Sequence, residues 1–162
     1  MPKDSGPGIA DDASSTTPSE EMYLITVAVA EEEGRPPPLP LADLAQALSI
    51  SPVSANQMVR RLEDRSLVEY HPYHGVALTA VGRRAAWRVL RGRRLWATFL
   101  ADHLGFTPEE ADALACRLEH VTPPEAADRL GRFLGDPAVG PLGAPIPPSP
   151  QAVAASRDRA HP

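Results

Sequence analysis

The stretch from Leu41 to Thr79 constrains this chain more than any other. LADLAQALSI reads as a short amphipathic helix with Leu41, Leu44, Ala45 and Leu48 on one face. Ser51 is a favourable N-cap and Pro52 a favourable first helical residue, since neither position requires a backbone donor that proline lacks. The helix they open, PVSANQMVRRLEDR, is expected to bury Val53, Met58 or Val59, and Leu62, and to end near Ser66. Two short helices joined by a tight turn have helix-turn-helix spacing. In LVEYHPYHGVALT, Leu67 to Tyr70 and Val76 to Leu78 flank a Pro/Gly-containing turn, so a β-hairpin follows directly. A hairpin in that position is a wing. The predicted fold class is mainly α, with an N-terminal winged helix-turn-helix domain followed by a helical domain.

The remaining organisation is built around that unit. Residues 1–18 are small, polar and turn-prone and are expected to be disordered. Residues 19–79 make the winged-helix domain, 80–135 the helical one, and 136–162 a Pro/Gly/Ala-rich tail expected to stay mostly unpacked. EEMYLITVAVAEEEG is ambiguous: its β-branched run suits a strand, while its acidic ends and Gly34 suit a helix, which is the reading adopted. A long Arg-studded helix is predicted from Thr79 to Leu104, stopping at Gly105. Thr107, Pro108 and Glu110 form a capping box for a helix running through His120. Thr122, Pro123 and Glu125 repeat the pattern for a last helix ending near Leu134.

Charge and cysteine usage narrow the function classes. The net charge of −5 is unevenly spread. Between Ser51 and Arg94 stand nine arginines against three acids, a local +6 that leaves −11 for the rest of the chain. A basic middle in an acidic chain is the footprint of a phosphate-binding surface, the alternative being a solvated Arg-rich helix face. Cys116 is the single cysteine, as expected of a reducing cytosol, and no apolar run approaches the ~18 residues of a membrane span. A cytoplasmic protein is the expectation.

A recognition helix offers its N-terminal side chains to base edges in the major groove. Ser51, Ser54, Asn56 and Gln57 provide a short polar face, and Val53 is placed to meet a thymine methyl. Arg60 and Arg61, one turn later, are expected at phosphates. On composition alone, these Ser, Asn and Gln residues also suit an ordinary helix surface; the wing favours duplex DNA. A second constellation is Cys116, Glu119 and His120 in ACRLEHV. At i, i+3 and i+4 of a helix they share a face, giving thiolate, carboxylate and imidazole donors for a first-row divalent ion. By spacing alone, a buried structural Cys beside a surface Glu–His pair is the commoner arrangement.

Together these pieces resemble the diphtheria-toxin-repressor and manganese-transport-regulator family of metal-dependent transcriptional regulators. The resemblance rests on EEMYL at 20–24, SPVSANQMVRRLEDRSLVEYHPYHGVALTAVGRR at 51–84, ACRLEHV at 115–121 and the tail GDPAVGPLGAPIP at 135–147. It implies a homodimer that binds a pseudo-palindromic operator in double-stranded DNA, with no membrane and no small-molecule substrate. It also implies a metal site of Met22, Cys116, Glu119 and His120. Thioether and thiolate donors favour Fe(II), with Mn(II) next.

The chain departs from the family pattern in places. Where the family builds a second, ancillary metal site, this sequence has Arg93, Ala97 and Asp112. An Arg93–Asp112 ion pair is therefore expected to replace that ion. The tail lacks the Cys and His common in the family, and the chain is expected to lack the SH3-like third domain of longer members. Two rival readings remain. A metal-independent winged-helix regulator or interaction module would have kept the fold without the ion. An enzyme using Glu119 as base would need a substrate cleft for which the sequence offers no further polar cluster, so no enzymatic activity is expected.

Overall fold

The computed structural model describes residues 16–149, and the expectations for residues 1–15 and 150–162 lie outside the described residues. Among the described residues, six α-helices and one hairpin are formed: α1 (Pro18–Glu32), α2 (Leu41–Ala47), α3 (Pro52–Asp64), β1 (Val68–His71), β2 (Gly75–Leu78), α4 (Ala80–Leu104), α5 (Pro108–Leu118) and α6 (Pro124–Phe133). A 3₁₀ turn, Glu119–Val121, follows α5.

The ambiguous first segment is a helix. Thr17 caps it in a full capping box with Glu20, which decides against a strand. Its apolar residues surround the axis rather than forming one stripe, and Leu24, Ile25, Val27, Ala28 and Ala30 are all buried. A helix that is apolar all round must be covered on several sides. Here α4, α2 and β2 cover it. Helix α1 thus becomes the centre of the main core, with Leu44, Val59, Leu62, Leu67, Val76 and Leu90 around it.

The helix-turn-helix and wing form as the sequence predicts. Ser51 accepts a hydrogen bond from the Ser54 backbone N–H at 3.1 Å, and Pro52 opens α3. β1 and β2 pair antiparallel with Val68 opposite Leu78 and Tyr70 opposite Val76. Leu39 adds a bridge to Val76 on the outer side of β2. Gly75 sits at φ +131°, and a Cβ there would meet the Leu39 carbonyl oxygen at 2.0 Å, so only glycine lets the wing dock this closely. The expected burial of Val53 is incorrect: it is 68% exposed, and Ala55, Val59 and Leu62 supply the buried face. The cause is its position in the first turn of α3, beyond the reach of the core. Leaving a valine in water forgoes roughly 1.5 kcal/mol.

The C-terminal half corrects three expectations. Helix α5 ends at Leu118, so Glu119 and His120 lie on the 3₁₀ turn rather than on the α-helix. The second capping box does not form. Pro123 is held extended (ψ 152°) because it precedes Pro124, which delays the start of α6 by one residue. The Thr122 hydroxyl instead donates to the Leu118 carbonyl at 2.7 Å and accepts from the Trp96 indole at 2.9 Å. Nor is the segment after Asp136 unpacked as far as Pro147. Ile146 is buried with Leu95 and Ala127, and the Arg94 and Arg91 guanidinium groups donate to the carbonyls of Pro145 and Pro147. Periodicity could not reveal this strap, because its attachment runs through backbone carbonyls.

Candidate metal centre and DNA-facing helix

Four side chains from two distant parts of the chain meet between α1 and the end of α5. Met22 lies in the second turn of α1, whose burial on several sides leaves little freedom to shift. Its Sδ is 3.3 Å from His120 Nε2. The same nitrogen is 3.2 Å from Glu119 Oε1, and the Cys116 thiol donates to Glu119 Oε1 at 3.7 Å. The structure therefore brings together all four residues that the family resemblance implied as ligands. The 3₁₀ turn contributes to this convergence, because it turns His120 toward α1.

The chemistry of this cluster fits a cation. Metal–ligand bonds of about 2.0–2.3 Å in a tetrahedral arrangement place donor atoms about 3.3–3.7 Å apart, close to the three separations here. Among the described residues, no three His, Cys, Asp or Glu side chains form a metal site by themselves. A cation between Cys116, Glu119 and His120 would therefore need the Met22 thioether as a fourth donor. The Glu119 side chain has no exposed surface, and its Oε2 makes no hydrogen bond. Burial raises the Glu119 pKa above the usual carboxylate range. Burial, and then the adjacent Glu119, likewise push the Cys116 thiol up. Without a cation these groups resist ionisation; a divalent ion reverses that preference.

Two outer contacts hold the cluster. His120 Nδ1 lies 2.7 Å from Glu21 Oε2. A carboxylate only accepts, so Nδ1 carries the hydrogen, and in the neutral imidazole a cation requires, Nε2 would present the lone pair. Glu21 is in turn held by Arg88 at 3.4 Å and Thr16 at 2.9 Å. Sequence reasoning missed Glu21; its position next to Met22 was visible, but the contact spans 99 residues. On the opposite side, Arg93 makes a two-pronged ion pair with Asp112 at 2.8 and 2.6 Å. Hydrogen bonding to Asp112 stabilises the charged guanidinium, whose Nη1 stands 3.9 Å from Glu119 Oε2.

The second candidate surface is the outer face of α3. Ser51, Val53, Ser54 and Gln57 are exposed there, Asn56 is half-buried, and the Ser51 and Ser54 hydroxyls lie 2.9 Å apart. Arg60 and Arg61 are exposed one turn later, but they differ. Arg60 pairs with Glu63 at 3.0 Å and stacks 4.3 Å over the Tyr70 ring, bracing the wing. Glu63 also accepts from the Tyr70 backbone N–H at 3.1 Å. Arg61 has no ion pair among the described residues. The basic footprint expected from the sequence is largely neutralised within the fold. Arg65 pairs with Glu20, Arg83 with Glu31, Arg88 with Glu21, Arg91 with Asp128, Arg93 with Asp112 and Arg94 with Glu32. Linear charge counting could not show that acids from elsewhere in the chain fold onto these arginines.

Two family profiles tile this arrangement. Residues 15–76 match the iron dependent repressor N-terminal DNA binding domain, and residues 79–148 match the iron dependent repressor metal binding and dimerisation domain. The HTH-type transcriptional regulator MntR of Geobacillus kaustophilus is 32% identical over 116 residues, covering 71% of this chain and 79% of that protein. The chain belongs to the iron-dependent repressor family. Among the other members, the iron-dependent repressor IdeR of Mycobacterium leprae is 39% identical over 127 residues, covering 78% of this chain and 54% of IdeR. The chain thus spans about half the length of IdeR and of the similar repressors it matches. A solved manganese-dependent transcriptional repressor in complex with manganese superposes with a TM-score of 0.72 at 32% identity, covering 80% of this chain and 59% of that one. Among the described residues no helix is long and apolar enough to cross a membrane.

Proposed function

We propose that this family member is a cytoplasmic, homodimeric, metal-dependent transcriptional regulator of metal-homeostasis genes, acting as a repressor on a pseudo-palindromic operator. It is not read as an enzyme. Met22, Cys116, Glu119 and His120 are the proposed ligands of one divalent ion, with Fe(II) favoured over Mn(II) because two of the donors are sulfur. Ser51, Val53, Ser54, Asn56 and Gln57 are the proposed base-edge readers, with Arg61 at phosphate and Arg60 supporting the wing. Met22 supports the reading most strongly: it lies within contact of His120, 98 residues away, joining the DNA-facing half to the C-terminal half.

The bound ion would supply a cross-link between α1 and the end of α5. The protein's own residues carry the consequence to α3. Glu20, two residues before Met22, pairs at 2.8 Å with Arg65, the C-cap residue of α3. At the far end of α1, Glu31 pairs with Arg83 and Glu32 with Arg94, both on α4. A constraint on Met22 therefore reaches the recognition helix through α1 as a rigid bar, and in a dimer it sets the spacing of two such helices. Because metal favours the DNA-competent arrangement, metal and operator should strengthen each other's binding equally. The Arg93–Asp112 pair is proposed as a metal-free brace between α4 and α5 in place of the family's ancillary ion.

The test is retention of a pool of duplexes with a randomised centre by the purified protein, under anaerobic conditions, with and without Fe(II) or Mn(II). Metal-dependent enrichment of a two-fold symmetric sequence is expected. Equal retention without metal would favour the rival reading, a metal-independent winged-helix regulator or interaction module.

A further inference from the structure

We propose that Arg93 is the specificity-determining residue of the metal centre: it faces one oxygen of Glu119 from behind, leaving the other to face Cys116 and His120. This inference rests on the metal reading above and deepens it. The two oxygens of Glu119 stand in different surroundings. Oε1 faces Cys116 Sγ at 3.7 Å and His120 Nε2 at 3.2 Å. Oε2 is buried without a hydrogen bond, and the charge facing it is Arg93 Nη1 at 3.9 Å. A fully buried carboxylate oxygen without a donor is costly, and a cation at that distance is what stabilises it in place.

Arg93 is itself held in position. Its Nε and Nη2 engage both oxygens of Asp112, a planar fork-to-fork fit that leaves Nη1 directed at Glu119. Ala97, Ala111 and Ala115 pack with Leu100 in the small α4–α5 core, and among the described residues Asp112 and Glu119 are the acids paired with the guanidinium. With Oε2 facing Arg93 at 3.9 Å, Glu119 would bind an ion through Oε1 only. The donor set then totals two sulfurs, one nitrogen and one oxygen. Such a set suits a four-coordinate, sulfur-tolerant ion and disfavours an ion that seeks six oxygen-rich ligands, as Mn(II) does. Without Arg93, Glu119 could offer both oxygens to the ion.

The test uses Co(II) and Mn(II) as probes on the full chain, anaerobically, with Arg93→Gln, Arg93→Lys and Asp112→Asn beside the parent. The visible ligand-field bands of Co(II) are intense in four-coordinate sites and weak in six-coordinate ones. In the parent, intense bands and a thiolate charge-transfer band are expected. In Arg93→Gln the ligand-field bands should weaken several-fold, and the ratio of Co(II) to Mn(II) affinity should shift about tenfold toward Mn(II), within the range for outer-shell partners. Arg93→Lys keeps the charge but loses the fork and should fall between. Asp112→Asn leaves Arg93 present but loosely held and should shift the ratio in the same direction, so the test survives if Arg93→Gln fails to fold. Bands and ratio unchanged in all three variants would overturn the role of Arg93 while leaving the metal site standing. A parent that takes up no Co(II) would overturn both.

Discussion

Glu21→Gln is the perturbation that most directly tests how the cluster is held. Glu21 Oε2 is 2.7 Å from His120 Nδ1, and its side chain is only 10% exposed. Glutamine keeps the size and an acceptor oxygen for the Nδ1–H, so His120 stays oriented, but the full negative charge that raises the basicity of Nε2 is lost. Outer-shell carboxylates of this kind contribute about ten- to hundredfold to metal affinity, or about 1.4–2.7 kcal/mol. Glutamine also keeps an acceptor oxygen for the other partners of Glu21, Thr16 at 2.9 Å and Arg88 at 3.4 Å, so the metal-free protein should lose only about 1 kcal/mol. The expected signature is therefore asymmetric: a large loss in metal affinity and a small loss in metal-free stability. Anaerobic titration calorimetry with Fe(II) and Co(II) reads the first, and thermal melting of the metal-free protein reads the second. Affinity within about twofold of the parent would refute the outer-shell role. So would a metal-free melting loss as large as the loss in the loaded protein, because that would make Glu21 merely structural.

Cys116→Ala should abolish metal-dependent retention of DNA while leaving the metal-free melting temperature nearly unchanged; unaltered metal dependence in a gel-shift titration would remove Cys116 from the site. Metal affinity should rise with pH. Cys116 is held above its ordinary thiol value by burial and then by Glu119, so at neutral pH the free protein carries a proton that ion uptake must release. Affinity should gain about tenfold per pH unit below the thiol's pKa, and calorimetry in buffers of different ionisation enthalpy should count the proton; no release would contradict this. Gln57→Ala and Val53→Ala, both on exposed positions of α3, should weaken operator binding by about 1–3 and about 1 kcal/mol respectively, with unchanged melting. Parent-like affinity in both would remove this face as the DNA reader. Ile146→Ala should cost about 2 kcal/mol of stability by opening a hole beside Leu95 and Ala127. A loss under about 0.5 kcal/mol would show that the strap after Asp136 contributes little to packing.

Local chemistry was legible in the residues. Ser51–Pro52, Thr107–Pro108–Glu110 and Gly105 each place a helix boundary, because caps and breakers act within four residues. The hairpin followed from its turn residues, and the four-donor set followed from the family resemblance of EEMYL and ACRLEHV. Where a local rule failed, another local rule had taken precedence: the Thr122 box lost to the extended backbone that Pro124 imposes on Pro123.

By itself, then, the sequence determined where helices start and stop, which faces are apolar, and which donors are available for an ion. Tertiary structure alone decided how the charges are spent. Five arginines that read as a phosphate footprint are turned onto Glu20, Glu21, Glu31, Glu32 and Asp128, whereas the Arg93–Asp112 pair was already expected from the sequence. It also decided that Glu21 supports His120 and that Arg93 faces the far oxygen of Glu119. The physical reason is range. Capping and periodicity act between near neighbours along the chain, whereas ion pairs and donor clusters depend on separations of a few ångströms between residues tens of positions apart, and only the packed fold sets those.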